Sequence, residues 1–124
     1  MTATDAPLNA IEVVHYLTSL AAELSSLVRE IAIADRQATH ARETYTVARA
    51  IAFRQASGAV NAREAVATEV THAQRLAAEE AECRVRDLRR RIDAVKIRID
   101  VGRSYGAAVR AETVLLNSPF QEHP

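Results

Sequence analysis

A chain of 124 residues is the size of a single domain. Its sixteen Lys and Arg balance sixteen Asp and Glu, apolar residues make up 48% and aromatics 4% with no Trp, and Gly and Pro number three each. One cysteine excludes a disulfide scaffold, zero net charge with an ordinary apolar fraction argues against wholesale disorder, and the shortage of turn residues argues against an all-β domain, whereas abundant Ala and Arg favour helix.

Residues 1–6 carry no periodicity and are expected to be disordered. Met1 to Ala10 has neither a basic stretch nor a long apolar run, so no signal peptide is expected. No stretch approaches the roughly 18 consecutive apolar residues of a membrane span. With Cys83 as the single thiol, the sequence predicts a cytoplasmic protein with no membrane partner.

A helix is predicted over about residues 8–56. Pro7 suits a first turn, and Asn9 with Glu12 resembles a capping box. Leu17, Leu20, Leu24, Leu27, Ile31, Ala34, Ala38, Ala41, Tyr45, Ala48 and Ala52 recur at alternating steps of three and four, an a/d heptad seam. The alternative is a break near Ala34 to Thr39 that folds the chain into a three-helix bundle. A turn is predicted over 57–61, where Gly58 suits a left-handed helix end and Asn61 with Glu64 suits a new cap. A second helix follows over about 62–116. Its seam reads Val66, Val70, Ala73, Ala77, Ala81, Val85, Leu88, Ile92, Val95 and Ile99, with a stutter at Ala77 and Ala81. Gly102 and Gly106 predict a bend near 102–106, and 117–124 reads as a disordered tail.

Two helices joined by a short turn lie antiparallel, which predicts an all-α, coiled-coil-like helical hairpin over 7–116. With the turn centred near Ala59, residue i faces about 118 − i. Ala38 and Ala41 then face residues 77–80, Leu24 lies beside Val95 and Ile31 beside Leu88, so small residues meet near the turn and large ones far from it. Residues 1–35 hold five acids and one base, whereas 84–110 hold nine bases and three acids, so opposite charges face each other. Arms of ~45 residues would be ~65 Å long with a thin seam. Val14, Val28, Ile33, Val47, Ile51, Phe53, Ile97 and Val101 lie off that seam. Their burial calls for a four-helix bundle or for packing on another protein; a homodimer is expected, with Val14, Val28, Ile97 and Val101 as its interface.

Candidate chemistry is sparse. The run Arg84 to Arg110 offers a phosphate-contacting face for DNA or RNA, carried by Arg86, Arg89, Arg90, Lys96 and Arg103. Interspersed Asp residues and the lack of aromatics for base stacking favour an ordinary solvated face. His15, His40, His72 and His123 have no helical metal-ligand spacing, so no metal is expected. Glu79, Glu80 and Glu82 point in different directions on a helix and form no acid/base pair. The segment Val101 to Gly106 lacks the spacing and the lysine of a phosphate loop and reads as a kink, or as a place where another chain comes close. Cys83 reads as a small buried or half-buried residue, with no histidine near enough to activate it. No catalytic or cofactor-binding residue is nominated, and neither an enzyme, a cofactor nor a small-molecule substrate is expected.

The stretches Ser57-Gly58-Ala59-Val60-Asn61-Ala62-Arg63-Glu64-Ala65, Leu76-Ala77-Ala78-Glu79-Glu80-Ala81-Glu82 and Arg98-Ile99-Asp100-Val101-Gly102-Arg103-Ser104 together resemble small uncharacterised helical proteins of actinobacterial and other tailed phages. The resemblance covers about residues 40–112. Such proteins are often encoded near genes for DNA recombination and replication. The resemblance implies a phage accessory protein in the host-cell cytoplasm, acting through contacts with a phage or host protein. Direct nucleic-acid binding and inhibition of a host protein are the alternatives.

Overall fold

The computed structural model describes residues 9–117. These form three helices, α1 (Ala10–Gln55), α2 (Val60–Val70) and α3 (His72–Leu116), with no strand among the described residues. The fold is all-α. Of the termini expected to be disordered, 1–6 and 117–124, all but Asn117 lie outside the described residues. Asn117 closes α3, its N–H donating to the Thr113 carbonyl (3.1 Å).

Asn9 caps α1, its Oδ1 accepting the Glu12 N–H at 2.9 Å. The helix then runs unbroken for 46 residues, which overturns the alternative break at Ala34 to Thr39. No Gly or Pro interrupts it, and the Thr39 hydroxyl turns back to donate to the Asp35 carbonyl (3.0 Å). Every expected seam position from Leu17 to Ala52 is buried or half-buried, and Val13 extends the seam by one step.

The connection is shorter than the expected 57–61. Gly58 takes φ +104, a conformation that favours glycine, and Ala59 is already the extended residue before α2. Asn61 therefore sits inside the first turn of α2 and caps nothing. Arg63 ties the connection together: its guanidinium lies 4.4 Å from the Phe53 ring centre, and its Nε donates to the Phe53 carbonyl at 3.2 Å. That carbonyl is among those a helix end leaves without an intrahelical partner.

The expected single second helix is divided at Thr71 (φ −103, ψ 16). The hydroxyl of Thr71 donates to the Ala67 carbonyl at 2.6 Å, alongside the Thr71 N–H at 3.1 Å. Such back-bonding distorts a helix locally. Arg75 N–H still reaches the Thr71 carbonyl (3.0 Å), so the helical hydrogen-bond path continues across the division.

The second seam is also corrected in its first half. Val66, Val70, Ala73 and Ala77 are exposed. The seam runs instead through the buried and half-buried Ala67, Thr71, Gln74, Ala78, Ala81, Val85, Leu88, Ile92, Val95, Ile99, Gly102, Gly106 and Val109, which alternate by four and three, with Arg63, Arg75 and Glu82 half-buried beside it. There is no stutter. Residues 102–106, where a bend is expected from the sequence, lie within the continuous helix α3.

The chain forms two compact units. The first holds the residues up to Leu27 and from Arg91 onward, and the second Val28–Arg90. In the first unit, Val13, Leu20, Leu27, Ile92 and Val95 are buried. A Cβ on Gly102 would stand 2.8 Å from Leu17 Cδ2, and one on Gly106 would stand 2.9 Å from Val13 Cγ1. The two glycines thus let α1 and α3 come close. Both contacts fall one position from the 118 − i register, and they run in opposite chain directions. In the second unit the buried residues are mostly alanines, Ala34, Ala38, Ala52, Ala67 and Ala78, with Val85, Leu88 and Thr71. Arg49 donates to the Thr68 hydroxyl (2.8 Å), and Arg42 donates to Glu82 from both Nε and Nη2.

Candidate interaction surfaces

In the first unit the seam fixes which residues face outward. Ile92, Val95 and Ile99 turn toward α1, so Ile97 and Val101 turn away and stand 62% and 64% exposed. Val14 is 60% exposed on α1. Lys96 and Arg103 are exposed and one heptad apart, followed after a further heptad by Arg110. Glu23 on α1 lies 3.7 Å from Arg98 on α3, an ion pair between the acidic and basic segments. Both partners are about half exposed, so solvent screens the pair and its contribution to stability is small.

In the second unit Val28 is 50% exposed. Arg86, Arg89 and Arg90 are exposed as well. Arg86 and Arg89 border a depression of about 310 Å³ whose walls include Asp35, Arg42 and Glu82, so acidic groups stand beside these bases. An open groove of about 680 Å³ runs past Tyr45, Arg49, Phe53 and Glu64 near the connection between α1 and α2.

The remaining candidates separate rather than converge. His15, His40 and His72 are exposed, the last with its Nδ1 3.3 Å from Arg75 Nη2, and His123 lies outside the described residues. Glu79 pairs with Arg75 at 3.1 Å one turn away, while Glu82 reaches across to Arg42. Among the described residues, no group of three or more His, Cys, Asp or Glu is placed to hold a metal. Cys83 is exposed, contrary to expectation, with Arg86 Nη2 donating to its sulfur at 3.0 Å. It falls between the seam positions Ala81 and Val85 and so points outward.

Sequence reasoning missed Thr71 and Gln74 as seam residues because both are polar. Gln74 Oε1 is buried without a hydrogen-bond partner, a cost of roughly 1–3 kcal/mol. It also did not place Ile11 on an outward face, and it took Val114, Leu115 and Leu116 only as a sign that the second helix continues or bends; all four are large, apolar and exposed. Uncharged residues recurring at three and four away from the main seam were the available signal.

Comparison with known protein families, with curated proteins and with solved structures gives no match. Among the described residues no helix is long and apolar enough to cross a membrane.

Proposed function

We propose that the chain is a non-enzymatic, coiled-coil-like antiparallel hairpin that self-associates into a four-helix bundle dimer and acts through protein–protein contacts. Support for the hairpin comes from the close approaches at Gly102 and Gly106, the Glu23–Arg98 and Arg42–Glu82 pairs, and the alternating seams on α1 and α3. The dimer rests on one observation: Ile97 and Val101 are about two-thirds exposed although their own helix already buries a full seam. Apolar side chains arranged in a stripe mark an interaction surface. The resemblance to small tailed-phage proteins extends this reading to an accessory role near DNA recombination or replication in the host cytoplasm, with a phage or host protein as partner.

A second reading is direct nucleic-acid binding, favoured by the exposure of Arg86, Arg89, Arg90, Lys96 and Arg103. Light scattering on the purified protein with and without DNA or RNA separates the two. Self-association gives a mass near twice the 13.6 kDa of one chain with no nucleic acid present. A monomer overturns the dimer. A complex with DNA or RNA that weakens steeply with salt, as counterion release requires, establishes the second reading.

A further inference from the structure

The two flanks of the α1–α3 seam in the first unit differ in kind. Tyr16 and Glu23, directly before the seam residues Leu17 and Leu24, share one flank with Arg98 and Tyr105, directly before Ile99 and Gly106, because like flanks of antiparallel helices face each other. That flank is closed. Glu23 lies 3.7 Å from Arg98, and the half-buried Tyr16 lies over Gly102. The opposite flank is formed by Val14 and Ala21, directly after Val13 and Leu20, and by Lys96, Arg103 and Arg110, directly after Val95, Gly102 and Val109. All five are exposed.

This open flank is apolar along α1 and basic along α3. Ile11 and Thr18 join Val14 and Ala21 in an uncharged row at steps of three and four, and the Thr18 hydroxyl turns back to donate to the Val14 carbonyl (2.8 Å). Lys96, Arg103 and Arg110 recur every seven residues, about 10.5 Å apart along the helix. Among the described residues, none of the three makes an ion pair. Asp93 and Asp100 stand three positions before Lys96 and Arg103 without pairing with them, and Arg110 has no acid three or four positions away. Charge is thus matched across one flank of the seam and left unmatched on the other.

We infer that the open flank docks a helix of a partner protein, apolar on one face and carrying Asp or Glu every seven residues along its edge. The apolar face of that helix covers Val14, Thr18 and Ala21, and its acids meet Lys96, Arg103 and Arg110. A nucleic-acid backbone fits this flank less well. It offers nothing to the apolar row, and its continuous phosphates pass the carboxylates of Asp93 and Asp100. Acids on a helix come at the spacing of the bases and oppose them alone. This deepens the reading that the chain acts through protein contacts by naming the chemistry of a partner. It does not depend on the dimer, whose residues Ile97 and Val101 lie on another face of α3.

The probe is a synthetic helical peptide of about three heptads with Leu on its seam and Glu on both edges, and its control carries Lys for every Glu. At about 50 mM salt the wild type binds the Glu peptide about tenfold more tightly than the Lys peptide, and the difference shrinks as salt rises. Lys96→Glu with Arg103→Glu abolishes the preference. Arg84→Glu with Arg90→Glu, the same change of net charge away from this flank, shifts it less than about threefold. Val14→Ser weakens binding a few-fold, and circular dichroism on each variant reads folding independently of binding. Absence of a preference for the Glu peptide overturns the inference. An equal loss in both double variants also overturns it, since net charge alone then accounts for the attraction. DNA that binds more tightly than the Glu peptide, and is released by Lys96→Glu with Arg103→Glu, gives the row to phosphate and overturns it as well. In each of these cases a wild type with the mass of two chains leaves self-association standing. A wild-type monomer that keeps the preference overturns the dimer and supports the docking flank.

Discussion

Gly102 and Gly106 hold equivalent places on α3, yet different atoms stand over them. Over Gly102 is the Cδ2 of Leu17, the far end of a flexible side chain, with the Tyr16 ring 3.4 Å away. Over Gly106 is Cγ1 of Val13, a β-branched side chain with little rotamer freedom, itself buried. Alanine at either position gains about 1 kcal/mol of helix propensity. At Gly102, rotation of Leu17 absorbs the added methyl, so Gly102→Ala is near neutral. At Gly106 the overpacking exceeds the gain, and Gly106→Ala destabilises by about 1 kcal/mol. Thermal melting of the two variants checks this. Equal melting temperatures would mean that Val13 yields as easily as Leu17 does.

At the scale of the helix, a single-residue change of register separates what the sequence discloses from what it conceals. The α1 seam was legible because Leu, Ile, Ala or Tyr occupies every a and d position from Leu17 to Ala52, and packing follows that pattern. The α2 and α3 seam was legible only from Ala81 onward. Before that point the apolar residues Val66, Val70, Ala73 and Ala77 lie on the exposed face, whereas the buried face carries Thr71 and Gln74. Thr71 satisfies its hydroxyl on the Ala67 carbonyl within its own helix, which lets a polar residue be buried where an apolar one was expected. Gly102 and Gly106 were read as the place of a bend because glycine disfavours helix; α3 continues through both, and each lies against α1. The neighbouring alanines test the corrected register. Ala78 is buried and Ala77 is exposed. Ala78→Leu overpacks the seam and costs roughly 1–3 kcal/mol, whereas Ala77→Leu changes stability by less than about 0.5 kcal/mol. The reverse order of melting temperatures would restore the register read from the sequence.

For the whole molecule, the neutral net charge conceals an acidic N-terminal segment and a basic C-terminal one, and Glu23 with Arg98 is a place where the two touch. The outward residues were largely legible once the seam was known, because an apolar residue off it is left exposed, as Val14, Val28, Ile97 and Val101 are, whereas Phe53 is covered by Arg63. Their partner was not legible, since a stripe gives a shape and a polarity but no identity. Two isoleucines five positions apart on α3 distinguish folding from assembly. Ile92 is 8% exposed and Ile97 is 62% exposed. An unpaired carboxylate buried at either site costs several kcal/mol. At Ile92 the cost falls on the contact with α1, so Ile92→Glu loses helix content and melts far below the wild type. At Ile97 the single chain leaves the carboxylate in water, so Ile97→Glu keeps its helix content. The cost appears only on association, where several kcal/mol is a large share of the roughly 8 kcal/mol that holds a micromolar dimer. Light scattering on Ile97→Glu is therefore expected to give the mass of one chain while circular dichroism remains that of the wild type. A mass unchanged from a dimeric wild type would place the contact on another face, with Val14 and Val28 on α1 the next residues to exchange for glutamate.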